Sequence, residues 1–285
     1  MFASMSALVP AKTPRPPMAH SPSQNRLLAA LPAAERGRLI PHLELVALPL
    51  GQALYNPGMQ MRHVYFPTSA ILSLLCVMEN GAAVEVGVVG NEGLAGVFLF
   101  MGGDSTCSRT VVQHAGYAFQ LSGALLNREF FRAAALQALL LRYTQALLTQ
   151  MSQTVACIRH HSLDQQLCRW LLQSVDRQPS NELKATQELI ARMLGVRRES
   201  VTEAAGNLKR AALIRYRRGH ITVLDRAGLQ ARACECYDVV KKEFDRLVPA
   251  MSQAKSELSI VTATASSPTC GTHSATSRSA LPMAN

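Results

Sequence analysis

Two adjacent arginines, Arg197 and Arg198, stand where a short helix is expected to begin. The N-terminus of a helix carries partial positive charge, so a cation there costs roughly 0.3–1 kcal/mol unless it points toward an anion. The surrounding segment, residues 184–226, contains ten basic and four acidic residues and carries much of the chain's net charge of +10. Such a concentration of charge is suited to a polyanion, whose phosphates would supply the missing negative charge.

The elements that must position these arginines are two short helices and a hairpin. Thr186 can cap a first helix, and Gly195 ends it with the positive φ of a tight turn. A second helix begins at Arg197, and two short helices joined by a short turn form a helix-turn-helix. The following LIRYRRGHITVL predicts two strands with a turn at Arg218-Gly219, the wing of a winged helix. In this motif the second helix enters the major groove of DNA N-terminus first.

This interpretation assigns DNA contacts to both helices and to the wing. Arg197 and Arg198 can reach the O6 and N7 atoms of guanine, and the wing arginines are expected to follow the phosphate backbone. A basic, solvated helical hairpin without a DNA role is the alternative. The predicted DNA-binding residues are Thr186, Arg197, Arg198, Glu199, Ser200, Thr202, Glu203, Lys209, Arg217 and Arg218.

The pattern of the chain changes twice before this module. Eleven of the 17 glycines lie between residues 51 and 123, where they separate short β-branched and apolar runs. That spacing predicts an antiparallel β-roll, that is, a jelly roll. From Arg128 apolar residues recur every three or four positions, which predicts one long helix over 128–158. Its apolar stripe favours pairing with a second copy of the chain, with packing against its own β-roll as the alternative. The stripe consists of Leu136, Leu140, Tyr143, Leu147, Met151, Thr154 and Ile158.

In this order of β-roll, long helix and winged helix, residues 25–237 resemble a CRP/FNR-family bacterial transcription regulator. The most specific part is TQELIARMLGVRRESVTEAAGNLKRAALIRYRRGHITVLDRAGL (186–229). The resemblance implies a homodimer that binds a palindromic site in double-stranded DNA, with RNA polymerase as a further partner. It also implies that Arg198, Glu199 and Glu203 read bases. The family commonly has arginine at the third of these positions, whereas a carboxylate prefers the cytosine N4 donor.

The resemblance further implies an effector site in the β-roll, yet the nucleotide-binding signature is incomplete. Cyclic-nucleotide-binding members carry a Gly-Glu and, shortly after it, an Arg-Ser/Thr-Ala. Here Arg109 and Thr110 match part of the second element, while Glu92 lies 17 residues upstream of Arg109. We therefore expect a small effector that is not cyclic AMP, with Glu92, Arg109 and Thr110 as candidate effector-binding residues. The alternatives are a cyclic-nucleotide-responsive regulator that uses Arg109 and Thr110 as its phosphate clamp, and a protein without a ligand.

Cysteines and histidines form two small groups that could bind a metal. CECY (234–237) offers a Cys-x-Cys, but two thiolates are too few for a closed tetrahedral site. Cys157, His160 and His161 form the second group, although adjacent histidines at a helix end are more often capping or surface groups. No cysteine precedes Cys76, which argues against an N-terminal iron–sulfur cluster of the kind found in some family members. Taken separately, neither group predicts a metal, and no cofactor is predicted.

Several classes of protein are disfavoured. The chain has no HExxH, GxSxG or P-loop motif, so we do not expect an enzyme. No run of about 18 apolar residues is present, so no membrane span is expected. Seven scattered cysteines and no export signal predict reduced thiols in the cytoplasm.

The predicted fold class is α+β, with an N-terminal antiparallel β-roll (jelly roll), a long dimerisation helix and a C-terminal winged helix-turn-helix. The predicted units are a disordered tail (1–24), a cyclic-nucleotide-binding-like β-roll (25–127), the dimerisation helix (128–158), the winged helix-turn-helix (159–230), a C-terminal helix (231–250) and a disordered tail (251–285).

Overall fold

The computed structural model describes residues 20–248. The tail predicted over 251–285 lies outside this range, and so do residues 1–19 of the tail predicted over 1–24. The end of that N-terminal segment differs from the prediction, because Pro22–Gln24 form one turn of 3-10 helix. Ser21 and Gln24 cap this turn reciprocally, each side chain bonding the other's backbone N–H, so the segment has local hydrogen bonds that its composition did not indicate.

Seven strands and two short helices form the N-terminal part. They are α1 (Arg26–Ala30), α2 (Ala33–Leu39), β1 (Glu44–Leu48), β2 (Ala53–Tyr55), β3 (His63–Pro67), β4 (Ile71–Val77), β5 (Ala83–Val89), β6 (Arg109–His114) and β7 (Gly116–Ser122), with 3-10 turns at Ile40–His42 and Val97–Leu99. The strands make two antiparallel sheets, ordered β1-β7-β3 and β2-β6-β4-β5. Leu72 of β4 and Ala118 of β7 are completely buried in the core that the two sheets share. The predicted β-roll is therefore confirmed.

The long helical region contains two helices and not the single helix predicted over 128–158. The helices α3 (Gly123–Arg132) and α4 (Ala134–His160) are separated at Ala133, whose φ of −114° and ψ of 103° are extended. The Glu35 carboxylate accepts a hydrogen bond from the first turn of α4 at 2.8 Å. A carboxylate there satisfies an N–H group that a helix start leaves free, and it also interacts favourably with the helix dipole.

Helix α4 has two apolar faces, and its own chain covers only one of them. Leu140 and Leu147 are 0% and 4% exposed because they pack in the β-roll core. Leu141, Leu148 and Val155 are 51%, 57% and 62% exposed. The stripe predicted for dimerisation thus mostly packs against the chain's own β-roll, in agreement with the alternative to dimerisation. The exposed row begins one position further along the helix.

The C-terminal part is a winged helix-turn-helix with one strand more than predicted. Its elements are α5 (Leu163–Val175), β8 (Glu182–Lys184), α6 (Gln187–Leu194), α7 (Arg198–Arg210), β9 (Ile214–Arg217), β10 (His220–Val223) and α8 (Arg226–Arg232). The extra strand β8 pairs with β10, so the sheet order is β8-β10-β9. The core of the C-terminal part includes Trp170, Ile190 and Leu208. Leu75 of β4 belongs to the same core, so the C-terminal part packs directly on the β-roll.

A last helix, α9 (Cys236–Leu247), returns to the long helix. It is shorter than the helix predicted over 231–250, because α8 extends to Arg232 and a short connection follows. Tyr143 and Phe244 meet edge to face with ring centroids 6.3 Å apart, which joins α9 to α4. The architecture is α+β, as predicted. Within residues 20–248 no helix is both long and apolar enough to cross a membrane.

Candidate nucleic-acid interface

The first helix of the motif, α6, is fixed at both ends as the sequence predicts. The Thr186 hydroxyl accepts a hydrogen bond from the Leu189 backbone N–H at 3.1 Å, which is an N-cap. Gly195 ends the helix with a φ of 67°, a left-handed conformation that glycine adopts without strain. A Cβ on Gly195 would lie 3.2 Å from Val84, so the turn also sits close to strand β5.

The start of α7 is open to an anion. Arg197 is the N-cap residue but its side chain forms no cap, and Arg198 is the first helical residue. The first backbone N–H groups of the helix therefore donate no hydrogen bond to a capping side chain. Arg197, Arg198 and Glu199 are all exposed. A phosphate at this end would interact with the free N–H groups, the helix dipole and two guanidinium groups.

Buried and polar contacts fix the orientation of α7. Leu208 is completely buried in the core of this part. Asn207 donates to the Asp164 carboxylate of α5 at 3.0 Å, and the Thr202 hydroxyl lies 3.0 Å from Gln187 Oε1 of α6. Because one face of α7 is held in this way, its opposite face, with the predicted DNA-binding residues, projects into solvent.

The wing is held against the first helix and turns tightly. The Tyr216 hydroxyl donates to the Ala185 carbonyl at 2.9 Å, and burial raises the pKa of Tyr216 to about 12, so it stays protonated as a donor. Arg218 and Gly219 have φ values of 49° and 77°, as a two-residue hairpin turn of type I′ requires. Arg217 and Arg218 are exposed at the tip of this hairpin.

A groove of about 590 Å³ between α7 and the wing brings half of the predicted residues together. These residues are Thr186, Arg198, Thr202, Lys209 and Arg218. Arg197 and Glu199 border a neighbouring groove, whose other wall is the turn between β4 and β5. Glu203 and Arg217 are exposed outside both grooves, and Ser200 is half-buried.

Two basic residues outside the predicted set extend this surface. Lys184 and Arg192 are exposed, and together with Arg109 and Arg218 they line a groove of about 430 Å³ between the β-roll and the winged helix. The signal that could have identified them was the charge excess of residues 184–226, to which both contribute. The basic surface therefore extends past the recognition helix and wing.

Solved structures with the same fold include three that match over nearly their full length. A protein assigned to the CRP/FNR family from Eubacterium rectale has a TM-score of 0.58 and 19% identity, covering 72% of this chain and 96% of that one. A CRP/FNR-family regulator from Thermus thermophilus has a TM-score of 0.52 and 22% identity over 67% and 98% of the two chains. The c-di-GMP-responsive global regulator CLP of Xanthomonas campestris has a TM-score of 0.53 and 16% identity, covering 67% of this chain and 99% of that one. No curated protein matches the chain.

The amino-acid sequence of the C-terminal part matches a known domain family. Residues 165–232 match the family described as the Crp-like helix-turn-helix domain, and this segment runs from α5 to the end of α8. The chain contains a Crp-like helix-turn-helix domain. The matched segment includes α6, α7 and the wing, so it carries all of the predicted DNA-binding residues.

The three candidate effector residues lie at three different places. Glu92 is 4% exposed, and its carboxylate accepts a hydrogen bond at 2.7 Å from Arg177 Nε, just beyond α5. Arg109 is exposed in the basic groove between the domains. Only Thr110 borders an enclosed apolar cavity. Glu92 therefore joins the β-roll to the winged helix, and it does not share a site with Arg109.

The apolar cavity lies between the β-roll and α4. Its volume is about 120 Å³, and most of its lining side chains are apolar. Thr110 contributes a hydroxyl from the β-roll, while Leu148 and Met151 close the cavity from α4. Because Leu148 also belongs to the exposed row of α4, anything bound in this cavity would lie next to that row.

Proposed function

We propose that this protein is a CRP/FNR-type transcription regulator, a homodimer that binds a palindromic DNA site and responds to a small effector other than cyclic AMP. The observation that carries the proposal is the start of α7. An uncapped helix N-terminus with two exposed arginines, beside a groove and a basic wing, matches the charge and shape of a duplex backbone and its major groove.

Base reading and phosphate binding are assigned to different residues. Arg198 is positioned for a bidentate contact with guanine, and Glu199 and Glu203 can accept hydrogen bonds from cytosine N4. Lys209 and Arg218 line the groove and Arg217 is exposed next to Arg218 on the wing, so we assign contacts with the phosphates of a duplex to these three residues. The role of Glu203 distinguishes this protein from family members that have arginine at that position.

The exposed row of α4 supports a homodimer. Leu141, Leu148 and Val155 recur every seven residues and are exposed. Three positions after them come Thr144, Met151 and Ile158, of which Ile158 is exposed, Met151 half-buried and Thr144 buried. This is the a and d pattern of a two-stranded coiled coil. A two-fold symmetric dimer presents two recognition helices, and its DNA site is then expected to be palindromic.

The cavity beside α4 is the candidate effector site. Pockets for drug-sized ligands measure roughly 300–1,000 Å³, whereas this one measures about 120 Å³. A small, mostly apolar effector therefore fits better than a cyclic nucleotide, whose phosphate would need a buried cation. Arg109, the nearest candidate for that cation, faces the basic groove instead.

Selection of bound DNA from a random pool tests the proposal at a stated salt concentration. We expect a palindromic consensus, and an affinity for it that falls steeply with salt because phosphate contacts release counterions. Enrichment of no sequence, together with affinity that does not depend on salt, would refute DNA binding. Enrichment of a single half-site would refute the dimeric arrangement.

Calorimetry with cyclic AMP tests the effector assignment. We expect no binding at micromolar concentration and no change in DNA affinity, because the structure separates Glu92 from Arg109. Micromolar binding that is abolished by Arg109→Ala would instead support the cyclic-nucleotide-responsive alternative.

A further inference from the structure

Two groups of residues that are far apart in the sequence converge in the structure. Cys157 and His161 lie at the end of α4, Cys234 lies between α8 and α9, and Cys236 is the first residue of α9. One donor atom from each of the four lies within 4.8 Å of the other three. The three cysteines are at most 5% exposed. Considered separately, each group has too few ligands for a metal, but the fold combines them into one cluster.

The distances within the cluster suit a tetrahedral metal ion. The sulfur atoms of Cys157 and Cys234 are 3.5 Å apart, and Cys236 Sγ is 3.6 Å from His161 Nδ1. Zinc bonds of about 2.3 Å to sulfur and about 2.0 Å to nitrogen place ligand atoms roughly 3.6–3.8 Å apart in a tetrahedron. A disulfide needs sulfur atoms about 2.05 Å apart, and these cysteines are free.

The second nitrogen of the histidine is also positioned. His161 Nε2 lies 3.3 Å from the Glu235 carboxylate. Histidines that bind metals usually donate their other N–H group to a carboxylate or carbonyl, which fixes the tautomer and the direction of the ring. Because Glu235 stands between Cys234 and Cys236, the same short segment supplies two ligands and the residue that orients a third.

A buried arginine next to the cluster lacks a carboxylate partner. Arg169 is 4% exposed and donates to the Thr154 hydroxyl at 3.0 Å, while its Nε has no hydrogen-bond partner within the described chain. It takes part in none of the ion pairs among residues 20–248. Its guanidinium is close enough to Cys157 and Cys236 to interact with both electrostatically. An unpaired buried charge is costly, and three thiolates around a divalent cation would supply one compensating negative charge.

We infer that Cys157, His161, Cys234 and Cys236 form a closed site for zinc with three thiolate ligands and one imidazole ligand. All four positions of the tetrahedron are filled by protein, so the ion has a structural role and no free position for a reaction. It joins the end of α4 to the start of α9 at the point where the chain turns into α5 and the winged helix. Loss of the metal should therefore loosen the connection between the long helix and the DNA-binding domain.

Metal analysis of the full chain, purified without chelator and under reducing conditions, tests this site. We expect one zinc per chain. Replacement with Co²⁺ should give the thiolate charge-transfer and visible bands of a tetrahedral Co²⁺ complex. Cys236→Ser and His161→Ala should each abolish the bands or weaken metal affinity at least tenfold. Glu235→Gln should weaken affinity about 10-fold or more, the effect typical of a residue that orients a ligand.

Matched controls are available in the same region. His160 is exposed beside His161, and Cys168 is a buried cysteine outside the cluster. His160→Ala and Cys168→Ser should retain the metal and the Co²⁺ spectrum. If the ligand variants fail to fold, alkylation of the wild-type chain decides. Zinc should protect three cysteines, and a chelator should expose them. Chains without zinc that also give no tetrahedral Co²⁺ spectrum, or a spectrum unchanged by Cys236→Ser, would overturn the assignment.

Discussion

At the scale of single residues, a buried acid connects the β-roll to the winged helix. Burial raises the pKa of Glu85 to about 7. The Ser73 hydroxyl contacts the Glu85 carboxyl and lies 3.1 Å from Gln113 Oε1, and Gln113 reaches Ser174 of α5. A hydroxyl has one hydrogen, so it cannot donate to both acceptors. A protonated Glu85 can donate to Ser73, which then donates to Gln113, and the whole chain of hydrogen bonds is satisfied.

This raised pKa predicts a pH-dependent stability. Glu85 has a folded pKa of about 7, against an ordinary value of 4.5, so its stabilising contribution is complete below 4.5 and is lost as the pH rises through 7. From pH 6 to pH 8 the free energy of unfolding of the wild type should fall by on the order of 1 kcal/mol more than that of Glu85→Gln, whose amide stays neutral. Urea unfolding at both pH values and one protein concentration measures this difference. Glu79→Gln, an exposed control, should follow the wild type. An equal change in the free energy of unfolding of the wild type and of Glu85→Gln between the two pH values would contradict the prediction.

Residue roles that depend on local sequence could be predicted, and those that depend on distant partners could not. The cap at Thr186, the turn at Gly195 and a helix start at Arg197 were predicted from neighbouring residues. The structure has the cap and the turn, and the helix begins at Arg198, one residue later than predicted. The family resemblance suggests an effector role for Glu92. Its ion pair with Arg177 could not be predicted, because Arg177 is 85 residues away along the chain. The proposed zinc site could not be predicted for the same reason, because its two pairs of ligands lie far apart in the sequence.

At the scale of the element, the wing has a turn whose geometry and charge can be tested separately. Arg217→Ala removes one charge, while Arg218→Asn removes the other but keeps a residue that tolerates a positive φ. Each should weaken binding to specific and random DNA about equally. Each should also lower the magnitude of the salt slope by about one for every phosphate that the variant no longer binds, or about two per dimer. Binding titrations across a salt series measure both effects. Weaker binding confined to the specific site would mean that the wing reads bases.

Helix α4 shows how far periodicity can predict an element. A repeat of three to four residues predicts a helix here, but it does not show the break at Ala133, because alanine is a good helix former. Periodicity also does not distinguish the stripe buried by the β-roll from the row one position further along. Burial of Leu140 and exposure of Leu141 separate the two. The short strand β8 cannot be predicted in this way, because three residues are too few for an alternating pattern.

At the scale of the whole molecule, the two domains are joined in several ways. Glu92 and Arg177 form a buried ion pair across the interface, the turn before α7 lies close to β5, and α9 packs on α4. The recognition helix is thus positioned relative to the long helix by contacts on several sides. A change in the position of α4, such as a ligand in the cavity beside it would cause, has a direct route to the DNA-binding surface.

The exposed row of α4 predicts the oligomeric state. Leu141→Asp combined with Leu148→Asp should give monomers in sedimentation experiments and weaken DNA binding, because a monomer binds a single half-site. Ala156→Asp changes an exposed residue of the same helix outside the row and should remain dimeric. Aspartate at Leu140 or Leu147 would disturb the β-roll core instead, so it does not test dimerisation. A double variant that stays dimeric would show that the chains pair elsewhere.

The central claim is that the start of α7 reads DNA sequence, and one comparison tests it most directly. The affinity of wild type and of Arg198→Ala is measured for the selected site and for random DNA at the same salt concentration. Removing a bidentate pair of hydrogen bonds to guanine costs about 1–3 kcal/mol per half-site, or about 2–6 kcal/mol for the two half-sites of a dimer, so the ratio of specific to random affinity should fall by about thirtyfold or more. An unchanged ratio would contradict the groove-facing role of Arg198 and, with it, the account of the recognition helix.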